Sequence, residues 1–169
     1  VVDLGTAGDR IYSIAMGESH ACAIVENAVE CWGVEESGSF GQGSSTTAAF
    51  STPQTISVPS GLTAKQIVIE HSTDSTCGVF EDTAGASSVI CWGDETAVGY
   101  SASSPVTTLV DSPVENSNGD EITPSDDSLS PYDIVDLQSG YDHTCALSRQ
   151  GLIKCWGSNS QAQLSIPST

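Results

Sequence analysis

Basic residues are almost missing from this sequence: 4 Lys and Arg stand against 22 Asp and Glu, for a formal net charge of -18. Phosphate backbones and anionic bilayers are held through Lys and Arg, and a field this negative repels both. The composition therefore predicts no nucleic-acid partner, and it suits a hydrated, acidic surface. Long apolar runs are missing too, which predicts no membrane insertion. No basic stretch followed by an apolar one opens the chain. It starts at Val1 without Met, which reads as a processed product or a piece of something longer.

Catalytic signatures are equally scarce. There is no Gly-x-Ser-x-Gly elbow, no phosphate-cradling glycine loop, and no spacing that supports a Ser, His and Asp arrangement. No enzyme activity and no cofactor are expected, and His71, alone at a predicted strand end, reads as structural. The acidic stretch VENSNGDEITPSDDSLSP invites a Ca2+ reading. Aligning Gly119 with the glycine of a calcium-hand loop leaves Val114 at the first ligand position, so that motif fails. A looser carboxylate set from Asp120, Glu121, Asp126 and Asp127 is the alternative, although exposed acidic loops usually bind little. Helical periodicity is absent throughout.

What is present is a repeat. Three stretches overlay on their Trp-Gly ends: IYSIAMGESHACAIVENAVECWG from Ile11, KQIVIEHSTDSTCGVFEDTAGASSVICWG from Lys65, and YDIVDLQSGYDHTCALSRQGLIKCWG from Tyr132. Trp32, Trp92 and Trp156 lie 60 and 64 positions apart. Each unit reads as an alternating run (Ile11 and Ile14; Ile67 and Ile69; Ile134 and Leu137), a turn, a Cys-bearing run, a hairpin and a second Cys-bearing run. The fold class is all-β: tandem three-stranded units in a single repeat domain over 1–169, with repeats at about 1–50, 51–103 and 104–169.

The cysteines test the hairpins. If Cys22 faces Cys31, the midpoint falls between Glu26 and Asn27, a two-residue loop. For Cys145 and Cys155 the loop becomes Arg149, Gln150 and Gly151, and for Cys77 and Cys91 it becomes Thr83, Ala84 and Gly85. Both three-residue loops place a Gly third, where a type I turn followed by a left-handed residue needs one. Directly opposed residues on antiparallel strands stand near disulfide distance, so the predicted bridges are Cys22 to Cys31, Cys77 to Cys91 and Cys145 to Cys155. Paired cysteines imply an oxidising compartment, hence an extracellular or cell-surface location.

Zinc is the alternative, because His20 and Cys22 share a strand face, as do His143 and Cys145. The middle unit has Ser75 in that place, and no fourth ligand is visible, so no metal is expected. Clusters of Ser and Thr mark Ser44, Ser45, Thr46, Thr47, Ser101, Ser103, Ser104, Thr107 and Thr108 as candidate O-glycosylation sites; no Asn-x-Ser/Thr sequon occurs.

These units resemble the repeat of the regulator of chromosome condensation family. The residues that carry the likeness are Gly17, His20, Trp32, Gly33 and Gly41-Gln42-Gly43 in the first unit. In the third they are Gly140, His143, Ala146, Leu147, Trp156, Gly157, Asn159 and Ala162-Gln163-Leu164. Ser51-Thr52-Pro53 and the run Thr55 to Val58 fit the connecting strand. The middle unit lacks the Gly and the His.

The resemblance implies β-propeller blades, and three are too few for a closed ring, since propellers have about four to eight. Val1 to Leu4 reads as the close of a linker strand and Ile166 to Thr169 as the start of the next. Head-to-tail self-association or further repeats are therefore expected. The leading function is a non-enzymatic extracellular structural or adhesive module, part of a larger surface assembly or fibre, with a protein or glycan partner. The alternatives are a protein-binding propeller of receptor or inhibitor type and a guanine-nucleotide exchange factor, which paired cysteines and net charge oppose.

Overall fold

A computed structural model describes residues 4, 9–43, 47–73, 75–94, 114–115, 121–122, 134–149, 151 and 153–164. No helix occurs among them. The first sheet is β1 (Ile11–Met16), β2 (His20–Val25), β3 (Ala28–Glu35) and β4 (Ala48–Ile56), in that order and antiparallel. The second is β5 (Leu62–Ile69), β6 (Thr76–Asp82) and β7 (Ser87–Trp92). Two short strands follow, β8 (Val114–Glu115) and β9 (Glu121–Ile122), paired with one another. The third sheet is β10 (Ile134–Ser139), β11 (His143–Ser148) and β12 (Ile153–Gly157).

The two-residue period of a strand is visible in the burial. In β11, Thr144, Ala146 and Ser148 are buried while His143, Cys145 and Leu147 are half-buried. The hairpins close where the cysteines require. Cys22 faces Cys31, Cys77 faces Cys91 and Cys145 faces Cys155, with Cα atoms 4.1, 4.1 and 4.0 Å apart, and all three pairs are disulfide-bonded. The loop after β6 is Thr83, Ala84 and Gly85, with Gly85 at φ 87°. Asp82 Oδ1 accepts the N–H groups of Ala84 at 2.8 Å and Ala86 at 2.9 Å, which satisfies donors the turn leaves open.

The connecting strand read from Ser51 to Val58 joins the first sheet as a fourth strand, β4. β4 runs through residues 50 and 51, the boundary that the repeat pattern suggests, and pairs with β3. Packing explains it: Phe50 meets Phe40 with ring centroids 5.6 Å apart, and Ile56, opposite Val29, is buried.

The recurring Trp-Gly has a steric cause. Gly33 and Gly157 sit at φ 106° and 99°, and a Cβ there would lie 2.5 Å from Ser19 O and 2.6 Å from Asp142 O. Backbone carbonyls cannot swing aside as a flexible side chain can. Gly33→Ala is accordingly expected to lower stability by about 2 to 4 kcal/mol, read as a shift of the urea midpoint at unchanged slope. An unmoved midpoint would contradict the geometry.

One apolar cluster runs through all three sheets, from Ile24, Val29 and Phe40 through Ile67, Phe80 and Trp92 to Leu137 and Trp156. The sheets are thus stacked units sharing a core, not separate domains joined by string. Their first strands also bond across the stack. Ser13 Oγ accepts the Ile67 N–H at 3.3 Å. One unit on, Gln66 does the same more fully: its Oε1 accepts the Leu137 N–H at 2.9 Å, and its Nε2 donates to Leu137 O at 2.8 Å.

Candidate functional site

Each unit turns from its first strand into its second through the same backbone bond. Gly17 N donates to His20 O at 2.9 Å, Glu70 N to Ser75 O at 3.0 Å, and Gly140 N to His143 O at 2.7 Å. Glu70 therefore occupies the glycine position, and Ser75 the histidine position. In the third unit the nearest neighbour is the histidine itself, since a Cβ on residue 140 would lie 2.3 Å from His143 Cε1 unless the ring turned aside. In the first unit the neighbour is Ile69 Cγ2 of the second, at 2.6 Å.

These turns reach into the following unit. His20 Nε2 lies 3.0 Å from Thr76 Oγ1, and Thr76 Oγ1 donates to Ser39 O at 3.1 Å. The same carbonyl accepts the Trp92 Nε1–H at 2.9 Å. Thr144 holds the place of Thr76, each being paired with the Trp of its own unit. There the partner is Glu70: Thr144 Oγ1 donates to Glu70 Oε1 at 2.7 Å and Thr73 Oγ1 to Oε2 at 3.0 Å. Glu70 is 1% exposed, and burial pushes its carboxyl up to about 7; the Thr144 and Thr73 hydroxyls oppose that shift, and Asp142 and Asp94 add to it. Burial also raises Glu35.

Where β1, β5 and β10 come together, a cleft of about 570 Å³ is bounded by Tyr12, Lys65, Glu81, Asp136 and Arg149 among others. Two of the four basic residues of the sequence line it. Lys65 Nζ sits 3.2 Å from Glu81 Oε1 with both side chains well exposed, so the pair contributes little stability. The hydrogen bond from Gln66 holds the Asp136 carboxyl below its usual range, with help from Gln138 and the Leu137 N–H against the cost of burial. Charges of both signs with their ends in solvent suit the cleft to polar groups of a partner.

The six cysteines all lie in bridges, so none offers a thiolate to a metal. Among the described residues no three His, Cys, Asp or Glu converge as a metal site. His71 is exposed beside the end of β5, its ring 6.1 Å from that of Tyr141. Thr47 is exposed ahead of β4. Ser44, Ser45, Thr46, Ser101, Ser103, Ser104, Thr107 and Thr108 lie outside the described residues, as do Asp120, Asp126 and Asp127. Glu70, Thr76 and Thr144 escape a reading of the sequence by motif. The signal for Glu70 is there in the overlay, as a carboxylate at a glycine position.

The family model of the regulator of chromosome condensation (RCC1) repeat matches residues 134–163, which is the third unit. The whole chain is similar to three solved structures. Prp20p of Saccharomyces cerevisiae, characterised for its binding to Gsp1p and histones, is 24% identical over 94% of this chain and 35% of that one, with a TM-score of 0.64. Yeast RCC1 (Prp20) bound to Kap60 gives 23%, 94%, 34% and 0.63 in the same terms. Human WBSCR16 gives 20%, 95%, 37% and 0.62. The chain spans about a third of the length of these relatives. Likeness at this identity establishes the fold: the three sheets are blades of RCC1 β-propeller type.

Proposed function

We propose that this RCC1-type propeller segment is a non-enzymatic, secreted or cell-surface module that binds protein partners within a larger surface structure. The observation that carries the reading is one disulfide in every blade. Such bonds persist in oxidising compartments and are rare in the cytosol. The net charge of -18 suits a hydrated exposed module and favours a partner with a basic face. The cleft at the first strands, with its opposed charges, offers polar recognition and no evident proton-transfer pair. Prp20p binds Gsp1p and histones, and a protein partner for this chain is proposed by analogy with it. Nucleotide exchange fits poorly with paired cysteines. The Ser and Thr clusters at 44–47 and 101–108 are proposed to carry O-linked sugar in the same setting.

Intact mass of the chain secreted from a eukaryotic host, measured without reductant, tests this. The expected value is the sequence mass less six hydrogens for the three bridges, raised by hexose increments. Free thiols in the secreted material would overturn the compartment, and a mass without increments would remove the sugar. Binding to a basic protein surface should weaken as salt rises.

A further inference from the structure

The turns that join first strand to second lie at one end of the blades, and the second turn is built differently from the others. Its closing bond spans five positions, from Glu70 to Ser75, where those from Gly17 to His20 and from Gly140 to His143 span three. The added length reaches the third blade: His71 N donates to Gly140 O at 3.4 Å, and Ser72 N to Tyr141 O at 2.8 Å. Two rings stand beside this backbone tie, His71 and Tyr141, with centroids 6.1 Å apart. Tyr141 is 64% exposed. A missing neighbour does not account for that. Glu18, His71 and Tyr141 hold the same turn position in successive blades, and Glu18 and His71 are exposed even though the following blade is packed against each of theirs.

Charge is divided along the same axis. The four Lys and Arg of the sequence are Arg10, Lys65, Arg149 and Lys154. Arg10 precedes β1, Lys65 lies in the first half of β5, Arg149 follows β11, and Lys154 is second in β12, all toward the ends away from these turns. Carboxylates keep the turn end. Glu18, Glu70 and Asp142 belong to the turns themselves, and Ser75 Oγ donates to Asp94 O at 3.0 Å. The Asp142 side chain, next to Tyr141, is 30% exposed.

We propose that His71 and Tyr141 form the docking platform for a basic segment of a protein partner, with an Arg side chain laid across the Tyr141 ring and its charge beside Asp142. The inference rests on the protein-binding reading above and names the face that serves it. The occupant follows from charge complementarity and from the ring. A chain of net charge -18 whose cations sit at the far end draws a positive partner to this end. A cation is attracted over an aromatic face, and guanidinium, planar and less tightly hydrated than ammonium, also stacks on it.

The probe is a fluorescent Arg-Gly repeat peptide, with Lys-Gly and Glu-Gly counterparts, titrated against the whole chain at low salt. The Arg peptide is expected to bind more tightly than the Lys peptide, and the Glu peptide not at all. Tyr141→Ser should raise the dissociation constant of the Arg peptide about threefold to tenfold and bring it level with the Lys peptide, while Tyr141→Phe keeps the preference for Arg. Ile153→Ser, at a position 67% exposed on β12, should change neither affinity. Circular dichroism melts confirm that each variant folds. Amide shifts of the labelled chain should gather at 71–73 and 140–142. Arg binding indifferent to Tyr141→Ser, or shifts gathered elsewhere, overturns the platform and leaves the protein-binding reading standing. A chain that binds none of the peptides at low salt overturns the platform and the basic partner together.

Discussion

Reduction of the three disulfides is expected to unfold the protein at ambient temperature. Each bridge closes a short loop, with separations of 9, 14 and 10 residues, and the loop-entropy argument gives about 2.5 to 3 kcal/mol for each. Together that is about 8 kcal/mol, against a total stability of about 5 to 15 kcal/mol for a domain. Thermal melts by circular dichroism, with and without a phosphine reductant, measure the difference. The bridges should not yield together. Cys22, Cys31, Cys77 and Cys91 are 0 to 1% exposed, whereas Cys145 and Cys155 are half-buried. Alkylation followed by peptide mapping is expected to find Cys145 and Cys155 labelled first. A melting temperature indifferent to reductant would mean that the shared core alone carries the fold.

The second large effect sits on Glu70. Its carboxyl, ordinarily near 4.5, is pushed to about 7 by burial, so the folded protein holds a proton that the unfolded chain has released. A group raised in this way stabilises the fold fully below pH 4.5, and the contribution falls as pH climbs from 4.5 to 7. The difference amounts to about 3 kcal/mol. Glu70→Gln resembles the protonated acid and keeps an acceptor for Thr144 or Thr73. It should flatten that part of the pH profile and exceed the wild type in stability at about pH 8. Urea unfolding of both proteins at the two ends of this range gives the comparison, and the difference between them removes the repulsion that all other carboxylates share. Parallel profiles would show that Glu70 stays ionised when buried.

The parts of this fold that the sequence announces are those set by local geometry. A strand alternates with period two and a hairpin turns about its midpoint, so the pairing of Cys145 with Cys155 and the place of Gly151 follow from counting. The stacking of blades obeys no such count. Nothing local says that Ser13 meets Ile67, that Gln66 grips Leu137, or that His20 and Glu70 address Thr76 and Thr144 from different turn positions. Those contacts join residues far apart in the chain, and they depend on which face each strand turns to its neighbour. β4 is half legible: the run around Pro53 reads as a connecting strand, while its attachment to β3 rests on Phe40 and Phe50 finding one another.

The crowding at residue 140 ties two positions of the repeat together. With the imidazole of His143 lying 2.3 Å from where a Cβ would stand, a side chain at the glycine requires that ring to turn aside. The second blade carries Glu70 and Ser75 at the two positions. The two positions are therefore expected to be coupled: a carboxylate beside a histidine costs the movement of the ring, and a carboxylate beside a serine does not. The variants Glu70→Gly and Ser75→His, made singly, compare the two pairings directly: Ser75→His is expected to be the less stable, read as the shift of the urea midpoint.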